Sequence, residues 1–328
     1  MSGEFETSDQ QETNHNSPKT PMKIWYHEIY TNGIHPDARF PRDRYVKLLD
    51  RLKSHERSEL FSFNEPEEVS KSDLLVAHDA KYVDDFLSGN LTEKEIKRIG
   101  LTPWTPDIIP RTRYLMGGAT AALKQVVEYG GIAGNMAGGT HHAHYDFGSG
   151  YCIFNDLAVC ALLAIEKYGF DRVAILDFDV HQGDGTATIL QNVSNALTIS
   201  VHCQENFPFR KSTSDHDLPI STDATNDEYL AKIKHAIALA TEFNPDIILY
   251  QAGVDGLVTD SLGKLNLTRD AMQQRNRMVF DISLKHSIPT VVFMGGGYSK
   301  PISHTIDAFT DLFVDAALAN GKMASEKL

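Results

Sequence analysis

Residues 173–185 read "VAILDFDVHQGDG". The stretch starts as an apolar run and ends in aspartates and a histidine: Asp177, Asp179, His181 and Asp184. An unbroken apolar run of this length is a strand buried on both faces, which is the signature of a parallel sheet. Carboxylates and imidazoles are costly to bury unpaired, so where this strand stops they need water, each other or an ion. Asp177, Asp179 and His181 alternate, and on an extended chain alternate side chains share one face. Imidazole with carboxylate is a donor set for Zn²⁺ or Mn²⁺.

The same grammar recurs outward from this point. Strands are expected at 23–27, 131–139, 172–179, 196–202, 246–253 and 289–297. Helical spacing runs through 42–55, 80–89, 111–130, 155–169 (opened by Asn155 as a cap), 226–243 and 269–286, with a last helix starting near Ser303. Continuous apolar strands alternating with helices predict an α/β fold: one central, mostly parallel β-sheet with helices on both faces. Ligands of such sheets bind in the crevice at the carboxyl ends of the strands. The unusual polar clusters at 139–146, 177–184, 253–260 and 295–298 all fall where a strand stops.

The chain has 328 residues, 41% of them hydrophobic and 23% charged, as in an ordinary globular protein. Residues 1–21 are polar and read as a disordered tail; residues 22–328 read as one catalytic domain. The net charge of −13 argues against direct nucleic-acid binding and leaves basic protein or peptide partners open. Three cysteines without paired spacing indicate a reducing, intracellular setting, cytoplasmic or nuclear. No apolar run approaches a membrane span, and the N-terminus has no secretory apolar core. Neither a GxxxxGKS/T loop nor a strand–GxGxxG–helix pattern occurs, so a nucleotide site is not expected. Oligomeric state is not legible.

Three further segments carry chemistry. "GGTHHAHYDFGSGYCIFND" (138–156) sets His141 beside His142, a pair suited to proton transfer near neutral pH. "YQAGVDGLVTDSLG" (250–263) offers Asp255 as a third metal ligand, and two Asp with one His leave open positions for water and substrate. "FMGGGY" (293–298) ends a strand in glycines and Tyr298, whose hydroxyl can donate to a developing oxyanion. Trp25 and Trp104 are read as packing, and the Lys/Glu-rich segment 91–98 as a solvated face.

Taken together, "GGTHHAHYDFGSGYCIFND", "DFDVHQGDGT", "QAGVDGLVTDSLG" and "GGGY" resemble the zinc-dependent histone deacetylases, which share a fold with arginases and acetylpolyamine amidohydrolases. The resemblance extends from about residue 22 to the last helix and includes "HPDARFPRDRY" and "HDAKYVDDFL". It implies Asp179, His181 and Asp255 as zinc ligands and His141 and His142 as the catalytic histidines. By the same resemblance Asp177 and Asp184 hold those histidines, and Tyr298 stabilises the transition state. Gly150, Tyr151, Phe207 and Leu262 would line a substrate tunnel, and a structural potassium ion would lie near Asp177 and Ser200. Gln182 in "HQG" and the run "DSLGKLNLT" resemble the class IV members and their bacterial relatives more than class I. Asp107 is the candidate for the acidic residue that grips the substrate backbone in class I. The implied activity is hydrolysis of an acyl-lysine amide, acetyl or long-chain; a deacetylase of acetylpolyamine or another small acyl amide is the alternative. A binuclear manganese ureohydrolase would need more metal donors than Gln182 and its neighbours supply. A non-catalytic scaffold would not keep every site position filled.

Overall fold

The structure, a computed structural model, describes residues 20–325; the expectation for the polar tail over residues 1–19 lies outside the described residues. Eight strands form one sheet: β1 (Met22–Trp25), β2 (Phe61–Asn64), β3 (Ile132–Asn135), β4 (Val173–Asp177), β5 (Ala196–Cys203), β6 (His216–Ile220), β7 (Ile247–Gln251) and β8 (Thr290–Phe293). Their order is β2-β1-β3-β8-β7-β4-β5-β6, and every neighbouring pair is parallel. Strand β4, the start of the 173–185 segment, lies inside the sheet and is buried at all its positions. Helices supply the crossovers that parallel pairing requires.

The helices start where capping chemistry says they should. Asn155 accepts from Ala158 N at the head of the helix Asp156–Glu166. Thr225 and Glu228 form a reciprocal capping box on the helix Asn226–Phe243. The helix Asp156–Glu166 is buried over most of its length because it packs between the sheet and its neighbours; each fully buried Leu there contributes about 2 kcal/mol.

Two edge strands, β2 and β6, were not expected. Both are short and only partly buried, and β6 contains Pro219, which an edge position tolerates because it needs no ladder donor there. The periodicity signal depends on a buried face that edge strands lack. The strand expected at 172–179 also ends earlier, at Asp177, so Asp177, Asp179 and His181 do not lie on one extended face. Past Asp177 the chain turns, and Asp179 Oδ1 accepts from His181 N at 3.0 Å. The Lys and Glu residues of 91–98 face solvent on the helix Glu93–Ile99, which a Thr92–Glu95 capping box opens and the buried Ile99 anchors. Trp25 and Trp104 pack as expected, Trp104 edge-on to Phe86.

Strand register decides where the site forms. Asn135 pairs with Phe293, Phe293 with Gln251, Gln251 with Asp177, and Asp177 with Ser200. These residues form one row across the sheet at its carboxyl edge. The loops leaving that row carry the polar clusters read from the sequence, and the register alone brings them together.

Candidate active site

Asp179, His181 and Asp255 converge beyond β4 and β7, with one ligand atom from each lying within 4.8 Å of the others. His181 Nδ1 stands 3.0 Å from Asp179 Oδ1 and 3.1 Å from Asp255 Oδ2. Both carboxylates are buried, at 1% and 0% exposure, so two negative charges face one imidazole out of water. Burial and the adjacent Asp179 charge push the Asp255 carboxyl up to about 7. A divalent cation relieves that repulsion, and the donor set suits one. Gln182 adds no ligand; its amide turns away to Ser212 O (2.9 Å) and Asp217 (2.7 Å).

The cradle is held by groups that sequence reading missed. Gln251 Nε2 and Gly296 N donate to Asp179 Oδ2, and Val180 N donates to Asp255 Oδ1. Arg275, fully buried, donates to the carbonyls of Phe178, Ala252 and Gly253, tying the loop after β4 to the loop after β7. A Cβ on Gly296 would collide with the Asp255 carboxylate, which explains one glycine of "GGGY". Arg275 has no local signal, since its partners are backbone groups far away in sequence.

The tandem histidines follow the "GG" turn after β3. Asp156, buried at the start of its helix, fixes this turn by accepting from Gly139 N, Thr140 N and Thr140 Oγ1. His141 Nδ1 is 2.7 Å from Asp177 Oδ2, and His142 Nδ1 is 2.6 Å from Asp184 Oδ1. Asp177 and Asp184 thus each hold one histidine ring. A carboxylate accepts, so each Nδ1 carries a proton; in a neutral ring Nε2 then keeps its lone pair, and in a charged ring it carries a second proton. The two rings are nevertheless tuned apart. Burial opposes charge on both, but Asp177 and Asp179 overcome it at His141, which rises to about 9. At His142, burial and the neighbouring His141 charge prevail and it falls to about 4. His144, which had no role in the sequence reading, shares Asp184 (3.3 Å) and meets Thr188 Oγ1 (2.8 Å).

A cavity of about 400 Å³ opens above these groups. Gly150, Tyr151 and Phe207 form its walls, and the Phe207 ring lies edge-on to His142 at 4.8 Å. Gly150 takes φ +53°, and a Cβ there would press on both His142 and Phe207. Leu262 lies at the mouth. All four expected tunnel residues therefore line this cavity. Asp107 does not: it is exposed at the start of the helix Ile108–Tyr129, and Arg98, Ile99 and Gly100 occupy the cavity wall on that side. The 101–107 segment turns away because Leu101 and Ile108 are buried and direct its path.

Tyr298 closes the floor. Burial raises its phenol well above the ordinary range, so it stays a donor. Its backbone N–H binds Asp260 Oδ2 at 2.6 Å, and the other Asp260 oxygen accepts from Leu262 N (2.8 Å) and Gly263 N (2.9 Å). Asp260 thus joins mouth to floor. Inward of Tyr298 the cavity meets two buried arginines, Arg44 and Arg111. Arg44 donates to Gly297 O and stacks on Phe40 and Tyr45, and its Nε has no partner. Neither arginine meets a carboxylate among the described residues; both reach Tyr45 Oη at 3.2 Å. Ser200 Oγ binds His202 Nδ1 (2.9 Å) beside Asp177.

A parallel α/β sheet with an Asp–His–Asp cradle and two carboxylate-held histidines at its carboxyl edge defines a hydrolase of the amidohydrolase type. The histone deacetylase domain model matches residues 38–312, and the chain belongs to the histone deacetylase family. It is 38% identical over 281 residues to an uncharacterised protein of Picosynechococcus sp., covering 85% of this chain and 93% of that one. It is 31% identical to histone deacetylase 2 of Arabidopsis thaliana, covering 88% and 78% of the two chains. A crystal structure of acetylpolyamine aminohydrolase from Burkholderia pseudomallei superposes with a TM-score of 0.75 at 18% identity, covering 90% of this chain and 98% of that one, which shows the shared fold. The chain is a histone deacetylase-like amidohydrolase. No helix among the described residues is long and apolar enough to cross a membrane.

Proposed function

We propose that this chain hydrolyses acyl-lysine amides with one zinc ion held by Asp179, His181 and Asp255. The convergence of those three ligands beneath an aromatic-walled cavity is the observation that carries the reading. When bound, zinc supplies Lewis acidity for the acyl carbonyl and a more acidic water. His142, neutral with its free Nε2 and aligned by Asp184, takes the water proton and returns it to the leaving amine. His141, charged beside Asp177, favours the anionic transition state electrostatically. Tyr298 donates its hydroxyl to the developing oxyanion. Tyr151 and Phe207 hold the apolar stem of the substrate and exclude water. The products are free lysine and a carboxylate, and the unpaired cations Arg44 and Arg111 provide a compartment that suits the acid.

Gln182 and the 260–268 run resemble the class IV pattern, which extends the proposal to long fatty acyl groups as well as acetyl. We place the catalytic unit at residues 22–328 and a structural potassium ion beside Asp177 and Ser200. The test is turnover of acetylated and fatty-acylated lysine peptides by protein stripped of metal and reconstituted with one equivalent of zinc. Zinc-dependent, hydroxamate-inhibited release of the acid is expected. Equal turnover by the stripped protein would overturn the proposal.

A further inference from the structure

The mouth of the cavity is charged opposite to the chain. Acidic residues outnumber basic ones by 44 to 31, yet the exposed charged side chains that line the cavity are two cations, Arg98 and Lys264. Arg98 stacks its guanidinium over Phe147 at 4.5 Å. Lys264 Nζ donates to the Glu205 backbone carbonyl at 2.6 Å. Neither forms an ion pair with a carboxylate among the described residues. The nearby acids meet other groups rather than pairing with them. Asp260 is occupied by three backbone N–H groups, and the Glu205 carboxylate meets Cys203 Sγ at 3.5 Å. Asp146, next to Phe147, is exposed but does not line the cavity. Arg39 adds a third cation near enough to oppose the burial-driven rise of the Tyr151 phenol. Phe209, 88% exposed, and Leu262, 42% exposed, contribute the apolar part of the same rim.

We propose that this rim selects acyl amides whose portion outside the tunnel is anionic, and disfavours polycations such as lysine-rich tails and polyamines. The inference rests on the amidohydrolase reading of the same site and narrows its substrate class. Unpaired cations at a mouth attract a carboxylate during encounter and repel an ammonium. Exposed pairs are individually weak, so two cations give discrimination on the order of tenfold between acidic and basic flanks, shrinking as salt screens them. The carboxylate can come from flanking acidic side chains of a peptide or from the α-carboxylate of a free acyl-lysine.

The experiment compares kcat/KM for acyl-lysine peptides flanked by Glu, Gln or Lys, together with free acyl-lysine, its carboxamide and a monoacetylated diamine. The expected order is Glu over Gln over Lys, with the diamine poorest and the spread compressed by high salt. Arg98→Glu combined with Lys264→Glu should reverse the Glu-to-Lys order, a change of sign that general damage to the fold would not produce. Free acyl-lysine surpassing its carboxamide by more than the Glu peptide surpasses the Gln peptide identifies the small molecule as the source of charge; the converse identifies the peptide. Equal rates across the three peptides, or an unchanged order in the double variant, would overturn the inference while leaving the hydrolase reading standing. Absence of turnover for every substrate with zinc bound would overturn both.

Discussion

The floor of the site and its mouth are built on different principles. On the floor, Asp179, His181, Asp255, His141 and His142 follow the ends of three parallel strands, β4, β7 and β3. Their partners are buried and their bonds converge: Asp179 alone meets Gln251, Gly296 and His181. At the mouth, Arg98 comes from a short helix and Phe209, Leu262 and Lys264 from loops, all exposed and with few polar partners. A rigid, over-determined floor suits chemistry, where sub-ångström placement matters. A sparsely held mouth can change its charge or shape without disturbing that floor, and it meets the variable part of the substrate.

The contrast can be broken most directly at the cradle. Asp255→Ala should abolish turnover and lower bound metal well below one per chain, measured by atomic emission, because its carboxylate is a proposed ligand and also anchors Val180 N. Full metal content in that variant would show that the cradle is elsewhere. Next in size, His142→Ala should lower kcat by about 10²–10⁴-fold while metal content stays at the wild-type level, as expected of a proton-transfer group outside the ligand set. Retention of near-wild-type kcat would remove His142 from the mechanism.

A third prediction concerns a support of the floor. His78 Nδ1 meets the His144 carbonyl at 3.0 Å, and its Nε2 accepts from Asn155 N at 2.9 Å, so it joins the histidine loop to a helix cap as a neutral ring. Burial lowers it to about 4. Its folded value lies below the unfolded one, so between about pH 6.5 and pH 4 the unfolded chain takes up a proton that the folded chain refuses. Stability should therefore be full above that window and fall through it by up to roughly 3 kcal/mol from this group. Urea midpoints at pH 7 and pH 5 measure the drop, and His78→Gln should flatten it; an equal slope in the variant would assign the acid loss to other groups.

The smallest effect belongs to the link between the two regions. Asp260→Asn replaces one acceptor oxygen by a donor facing backbone N–H groups, which should loosen both Tyr298 and Leu262. A fall of about tenfold in kcat with unchanged metal content is expected from misplacing a transition-state donor. Unchanged kcat would mean that floor and mouth are independent at this point.

Legibility followed the same division. Strands β3, β4, β5, β7 and β8 were readable because burial on both faces leaves an unbroken apolar run, and the floor residues were readable because they follow those runs directly. The edge strands β2 and β6 were missed for want of that run. Arg275, Asp260 and Asp156 were missed because the contacts that tie them to the site, to Gly253 O, Tyr298 N and Gly139 N, are with backbone groups distant in sequence. Asp107 was proposed for the mouth from its neighbourhood in sequence, whereas the chain routes Arg98 there instead. The Asp177–Asp179–His181 alternation was read as one face, and a turn after Asp177 separates their tasks: Asp177 serves His141, and the other two face Asp255.

By itself, then, the sequence determined the strand-and-helix alternation, the apolar-rich central strands and the kinds of donor waiting at their ends, since all of these are local properties of periodicity and side-chain chemistry. Only the tertiary structure decided which donors meet. His142 finds Asp184 and His181 finds Asp255 because parallel register levels the strand ends into one row. It also decided the charge of the mouth, where Arg98 from a short helix and Lys264 from a loop far along the sequence line one cavity on a chain whose total charge is −13. Sums over a sequence carry no position, and a substrate meets only the few charges that folding sets around the cavity.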